Sequence, residues 1–207
     1  MENNVTPFPS VGYISKEYFC DREKHLMLEI FNSANRPFFA SSLIMGIEEI
    51  DKDVYKKFIS QHFENNKKRI DNEALDFILD WTFVHTYYTQ MICGAVFSEN
   101  IKRNDISAVK KVCELQLDIL HTNFLQYRNL LSPRQWQLLV AVAKEELVLE
   151  PQSQKFSKKH KLGAASSVKK SLTSLIDKEM ICTIEKQEYV AYRVYDVFLL
   201  RWLQLKF

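Results

Sequence analysis

The sequence predicts a mainly α-helical protein, in which a helical bundle is followed by a winged helix-turn-helix with a small β-hairpin. Three observations support this prediction. The 207 residues include four glycines, where average usage of about 7% would give about fourteen. Apolar residues recur every three or four positions from Asp51 to about Leu130, which is the period of an α-helix. After Met180 the period falls to about two, which is typical of β-strands.

The first fifty residues are predicted to be a separate N-terminal segment with little regular structure. Pro7, Pro9 and Gly12 interrupt its start, and proline and glycine are the strongest local breakers of helices and strands. Within this segment, residues 25–32 show a short helical pattern. The regular periodicity begins only after it.

Residues 51–128 are predicted to form a bundle of four amphipathic helices. The first begins at Asp51 as N-cap and ends in a polar run at 64–69, and the second begins at Asp71. The third covers residues 87–97, and the fourth begins near Asn104 or Asp105. The side chains expected to face the core are Val54, Tyr55, Phe58, Ile59, His62, Phe63, Ala74, Leu75, Ile78, Leu79, Trp81, Ile106, Val109, Cys113, Leu117, Leu120, Phe124 and Tyr127.

Residues 129–207 are predicted to form the winged helix. Ser132 as N-cap, Pro133 at the first helical position and Gln135 two residues later have the pattern of a capping box with an N-terminal proline. This helix is expected to close at Pro151, with Trp136, Leu139, Val140, Ala143 and Leu147 on its apolar face. A short helical segment at 154–161, a turn at Leu162 and Gly163, and a helix at 164–179 follow.

A β-hairpin is expected after that last helix. Its strands are predicted at 181–184 and 189–194, with a polar tip at 185–188. Val190, Tyr192 and Val194 alternate and are expected to face inward. The apolar residues 197–207 are expected to pack back on the winged helix. Helix, short helix, helix and a two-stranded ribbon is the order of a winged helix-turn-helix.

Positive charge is concentrated in the C-terminal third, although the net charge is only +2. Residues 155–178 include seven lysines and one acid, Asp177. The third helix of a helix-turn-helix presents its exposed face to the major groove, and lysines attract phosphates without regard to sequence. The candidate DNA-binding residues are therefore Lys158, Lys159, Lys161, Ser166, Lys169, Lys170 and Thr173.

Two other interpretations of this basic surface stay open. It is also compatible with a solvated basic face, or with a winged helix that binds protein. The predicted face lacks the Arg, Asn and Gln side chains that make the strongest bidentate contacts with bases. Any DNA contact is thus expected to be weak in sequence preference.

Several classes of protein are excluded or disfavoured by the sequence. The glycines are 34, 48 and 69 residues apart, so no glycine-rich phosphate loop can be written. The four cysteines and five histidines lack zinc-ligand spacing, and buried thiols are the expected state of Cys93, Cys113 and Cys182. We expect no metal site, no catalytic residues and no membrane span, and the N-terminus lacks the pattern of a signal peptide. A cytoplasmic protein is the resulting expectation.

Two modules of the chain carry a family resemblance. The C-terminal part is similar to the winged helix of archaeal-type AAA+ ATPases in the STAND group, and the preceding part resembles the helical lid that follows the nucleotide-binding core in that family. The stretches that carry the winged-helix resemblance are 162–168 (LGAASSV), 177–181 (DKEMI) and 192–198 (YRVYDVF), with Leu172, Leu175, Trp202 and Leu203. Those that resemble the lid are 36–39 (RPFF), 47–63, 74–82 (ALDFILDWT) and 85–90 (HTYYTQ).

The N-terminal segment resembles parts of the ATPase core that are distant from each other in the family. Residues 12–23 (GYISKEYFCDRE) are similar to the opening of the core, which in the family leads into the Walker A loop. Residues 25–31 (HLMLEIF) are similar to a segment near its end. The resemblance therefore implies that the nucleotide-binding core is missing at a seam between Glu23 and His25, and that residues 1–50 derive from the core.

The resembled family binds ATP and magnesium, but phosphoryl transfer needs a phosphate loop and a metal-binding acid that cannot be written on this chain. We therefore expect no ATP hydrolysis and no cofactor. The leading hypothesis is a non-catalytic lid plus winged helix with weak, mainly electrostatic DNA contact. The alternatives are a protein-interaction or oligomerisation module, and an ATPase component whose core is supplied elsewhere. The expected partners are duplex DNA, or a protein partner or second copy, and no membrane.

Overall fold

A computed structural model describes residues 50–99, 101–186 and 188–207, apart from the side chains of Glu185 and Lys186. In these residues the protein is mainly α-helical, as predicted, with one antiparallel hairpin near the C-terminus. They fall into two compact units, 50–119 and 120–207. The domain limits 51–128 and 129–207 stay predictions. The predicted helix at 25–32 and the seam between Glu23 and His25 lie outside the described residues.

The first unit contains three helices and most of a fourth. They are α1 (Lys52–Asn65), α2 (Asn72–Trp81), α3 (Thr86–Ser98) and α4 (Ile106–Leu130), with two-residue strands β1 (Arg69–Ile70) and β2 (Arg103–Asn104). The strands pair in parallel, which the sequence did not indicate. As predicted, Asp51 caps α1, and its carboxylate accepts hydrogen bonds from the backbone N–H groups of Asp53 and Val54. Asp105 caps α4 by accepting from Ala108 N–H.

Two predictions for this unit need correction. Tyr55, Ile59 and Phe63 are buried, but Val54 and Phe58 are 60% and 47% exposed, so the buried face of α1 is narrower than predicted. Asp71 precedes α2 at the N-cap position, yet its side chain makes no capping bond. Its carboxylate instead accepts two hydrogen bonds from Arg103, at 3.0 and 3.1 Å. This ion pair joins the chain just after β1 to β2.

The second unit has the element order of a winged helix. After the end of α4 come α5 (Pro133–Glu145), α6 (Gln154–Lys159), α7 (Ala165–Asp177), β3 (Ile181–Lys186), β4 (Tyr189–Val194) and α8 (Val197–Lys206). The predicted capping box is present, because Ser132 Oγ accepts from Gln135 N–H and Gln135 Oε1 accepts from Ser132 N–H. Asp196 caps α8 by accepting from the N–H groups of Phe198 and Leu199. The fold class predicted for this region is confirmed.

Trp202 lies at the centre of this unit. Its side chain is fully buried, and its indole N–H donates to His121 Nδ1 at 3.0 Å. The rings of Phe124 and Phe207 lie within 5.6 Å of it, centroid to centroid. The apolar residues 197–207 therefore pack back on the winged helix, as predicted.

The chain after α5 differs from the prediction. The helix ends at Glu145 rather than near Pro151, and Glu146 follows with a positive φ of 59°. Val148 then pairs with Tyr192 as an isolated antiparallel bridge, which adds a third strand-like segment beside the hairpin. Strand β3 also extends two residues further than predicted, whereas β4 has the predicted bounds. Within β4, Val190 is exposed while Ala191 is buried. Backbone pairing with β4 thus replaces the last turn of the helix and leaves Leu147 partly exposed.

Four helices end in a Schellman motif without glycine. Lys67 after α1, Phe83 after α2, Lys161 after α6 and Glu179 after α7 all have positive φ. In each case this residue and the next donate their N–H groups back to carbonyls of the last helical turn. Because the described glycines all have negative φ, ordinary L-residues occupy the left-handed positions, which cost them about 1–2 kcal/mol each.

The side chains of Cys93, Cys113 and Cys182 are buried, as predicted. Burial also raises the pKa of the Cys93 thiol, so this group is neutral at physiological pH. Of the helices in the described ranges, none combines the length and the apolar character that a membrane crossing requires.

Candidate nucleic-acid interface

The predicted recognition face lies on α7 and is open to solvent. Val168, Leu172 and Leu175 bury the opposite side of the helix. The four candidates on the outer side, Ser166, Lys169, Lys170 and Thr173, are all exposed. The hydroxyl of Thr173 donates to the carbonyl of Lys169, four residues earlier, at 3.1 Å. Its oxygen can still accept a hydrogen bond from a ligand.

Helix α6 and the turn after it place two more lysines beside the start of α7. Lys158 and Lys161 line one shallow depression together with Gly163, Ala164 and Ala165. Lys161 holds a left-handed conformation, with φ of 52°, and its carbonyl accepts from Gln137 Nε2 at 3.0 Å. The helix-turn-helix therefore places Lys158 and Lys161 beside the first residues of the helix that carries Lys169 and Lys170.

Lys159 has a different environment from the other candidates. Its ammonium lies 2.5 Å from the Glu145 carboxylate at the end of α5, and His160 Nε2 lies 2.7 Å from the same oxygen. The Lys159 ammonium, and then the His160 ring, lower the pKa of Glu145. This contact fixes α6 to α5 and partly neutralises Lys159. Lys158, Lys161, Lys169 and Lys170 form no such pair with the described residues.

Two features limit the extent of the basic surface. Asp177 follows Ser166, Lys170 and Thr173 along the same side of α7 and is exposed, so the cationic part covers only the first turns of the helix. Among the hairpin side chains that the structure describes, the exposed ones are those of Glu188, Tyr189 and Val190, and none of these is basic. The positive charge is thus concentrated where α6 and α7 adjoin.

Sequence reasoning missed Arg134. This residue is exposed in the first turn of α5, and it lines a small cavity with Gln137, Gly163, Ser167 and Ser171. It therefore lies beside α7, although 32 residues separate it from Ser166 in the chain. Only the packing of α5 against α7 brings it there, and the charge pattern of the sequence contains no signal of that packing.

The comparison with protein families agrees with this architecture. Residues 122–205 match the family described as "Probable winged helix domain". The match includes both α6 and α7, which carry the candidate lysines. It covers the second unit and no part of α1 to α3.

The chain is also similar in structure to the Walker-type ATPase of Pyrococcus abyssi, with a TM-score of 0.56 and 15% sequence identity. The aligned region covers 87% of this chain and 49% of the ATPase, so the chain spans about half the length of that protein. No curated protein matches the chain. Together the two similarities establish a winged helix within a fold related to that of a Walker-type ATPase.

Proposed function

We propose that this protein is a non-catalytic lid plus winged helix of the AAA+/STAND type, and that it binds duplex DNA through electrostatic contact. One observation carries the proposal. Lys158, Lys161, Lys169 and Lys170 are exposed where α6 and α7 adjoin, and they have no ionic partner among the described residues. A helix-turn-helix inserts the helix that corresponds to α7 in the major groove, so an uncompensated group of cations on this helix and just before it favours a polyanionic ligand.

The side chains on this face favour affinity over sequence discrimination. Lysines neutralise phosphates and release counterions, which gives binding to any duplex and a steep dependence on salt. Ser166 and Thr173 donate or accept single hydrogen bonds to phosphates or base edges. We expect a weak preference among DNA sequences.

Charge reversal on α7 tests the proposal. The double variant Lys169→Glu with Lys170→Glu should abolish duplex binding measured by fluorescence anisotropy at low salt. The matched control is Lys110→Glu with Lys111→Glu, an adjacent exposed pair on α4. If the α7 variant binds a duplex as tightly as the wild-type protein does, the DNA proposal is wrong.

We also propose that the chain neither binds ATP with magnesium nor hydrolyses it. The proposal rests on the glycine spacing, which leaves no phosphate loop. The similarity to a Walker-type ATPase, of which this chain spans about half, supports the alternative in which a nucleotide-binding core is supplied by another chain. Isothermal titration with magnesium and ATP tests this. Micromolar binding by this chain alone would refute the proposal that it does not bind ATP.

A second candidate function is protein interaction or self-association through α1. Val54 and Phe58 are four residues apart on one side of α1 and are 60% and 47% exposed, and Ile50, just before the N-cap, is 38% exposed. An exposed apolar stripe of this kind is typical of a contact surface. Size-exclusion chromatography with light scattering distinguishes this candidate: a defined dimer that Val54→Glu with Phe58→Glu converts to monomer, without DNA binding, would favour it.

A further inference from the structure

The first turn of α5 contains an arginine that the fold itself does not use. Arg134 occupies the second position of the helix, where the helix dipole disfavours a cation. Its side chain is exposed and forms no ion pair or hydrogen bond with the described residues. A positively charged residue at this end of a helix therefore contributes nothing evident to stability.

The neighbouring polar side chains already have partners. Gln135 donates to Ser174 Oγ at 2.8 Å, and Gln137 donates to the carbonyls of His160 and Lys161. These three hydrogen bonds fix α5 against α7 and against the turn before it. Arg134, which precedes them, remains available for a ligand.

Arg134 lies at the junction of α5 and α7. It shares the lining of a cavity of about 20 Å³ with the serines Ser167 and Ser171 and with Gly163, which is room for about one water molecule. Ser167 adjoins Ser166 of the proposed DNA-binding face. Lys158 and Lys161 line a second depression that also includes Gly163, so Arg134 and these two lysines all lie near the start of α7.

We propose that the guanidinium of Arg134 binds a backbone phosphate of duplex DNA, beside the groove that α7 enters. This inference rests on the proposed function. In a helix-turn-helix the first helix crosses the DNA backbone while the recognition helix reads the groove. A guanidinium binds two phosphate oxygens at once through its planar donors, and the Ser167 hydroxyl supplies a further donor at the same junction.

Three variants test the assignment by anisotropy with one duplex across a salt series. Arg134→Ala should weaken binding about tenfold and make the slope of log affinity against log salt less steep by about 0.9. Arg134→Lys restores the charge and should restore the slope, with lower affinity because the bidentate geometry is lost. Arg128→Ala is the matched control, since Arg128 is exposed on α4 and does not line the cavity.

The outcomes separate this assignment from the proposed function. If Arg134→Ala behaves like Arg128→Ala in affinity and slope, the Arg134 assignment is wrong while DNA binding stands. If Arg134→Lys fails to restore the slope, the effect of Arg134→Ala arises from the fold, and the assignment is again wrong. If the wild-type protein does not bind a duplex at low salt, the proposed function fails and the assignment fails with it.

Discussion

If the protein binds DNA as we propose, the salt dependence of the affinity measures how many lysines contact phosphates. Lys158, Lys161, Lys169 and Lys170 are unpaired within the described residues, whereas Glu145 holds Lys159. Each phosphate contact contributes about −0.9 to the slope of log affinity against log salt, so four lysines contribute about −3.6. The part of the affinity that they supply should therefore fall about 150-fold between about 50 and 200 mM salt.

Lys169→Ala with Lys170→Ala should remove half of this dependence. The slope should become less steep by about 1.8, and the remaining lysine contribution should then fall only about 12-fold over the same range. Fluorescence anisotropy at four salt concentrations gives the slope, and a thermal melt checks the fold, since exposed substitutions change stability by about 0.5 kcal/mol or less. Lys110→Ala with Lys111→Ala is the control. Equal slopes for the α7 variant and the control would show that Lys169 and Lys170 do not contact phosphates.

Three further predictions concern stability. Lys67→Gly should stabilise the first unit by about 1 kcal/mol in urea unfolding, because lysine is strained at its φ of 58° and glycine is not. Trp202→Ala should destabilise the second unit by about 3–5 kcal/mol in the same assay, since the indole is fully buried. Burial lowers the pKa of His85 to about 4, so the unfolded chain takes up the proton first as the pH falls. Stability of the first unit should therefore fall by about 3 kcal/mol between about pH 6.5 and 4, and His85→Leu should flatten this dependence in hydrogen exchange of α3.

Each of these predictions has a clear contrary result. Destabilisation by Lys67→Gly would mean that the left-handed conformation is not strained. A loss below about 1 kcal/mol for Trp202→Ala would contradict the central position of the indole. An unchanged pH dependence in His85→Leu would show that His85 is not the group that titrates.

Most of the fold could be predicted because its signals are local. Asp51, Asp105 and Ser132 cap the helices that follow them, and a cap depends only on the next three residues. The period of apolar residues likewise located α3, α7 and the hairpin. Three differences came from long-range contacts. The Asp71 carboxylate accepts from Arg103 instead of capping α2. Strand β4 pairs with Val148, and β1 pairs with β2.

The left-handed residues could not be predicted from composition. Glycine is the usual residue at such positions, and the chain has few glycines, so Gly163 was the natural choice for the turn between α6 and α7. The left-handed residue there is Lys161. A methyl group added to Gly163 would meet only Ser167 Cβ, at 4.0 Å, so this glycine is not required by the turn.

The candidate site was predicted in part. The exposure of Ser166, Lys169, Lys170 and Thr173 follows from helical spacing, because Val168 and Leu172 fix which side of α7 is buried. The position of Arg134 beside α7 and the pairing of Lys159 with Glu145 depend on how α5 lies against α6 and α7. Such packing is not encoded in the charge or the period of any one segment.

Removal of the negative charge of Glu145 should raise the affinity of the protein for a polyanion. This carboxylate contacts Lys159, the last residue of α6, and His160, which follows it, and it pairs with one ammonium of the surface that we assign to DNA. A Glu145→Gln variant would present five lysines at this surface instead of four, while it weakened the attachment of α6 to α5. A single side chain therefore sets a balance between how firmly the short helix is held and how strongly the protein attracts a polyanion.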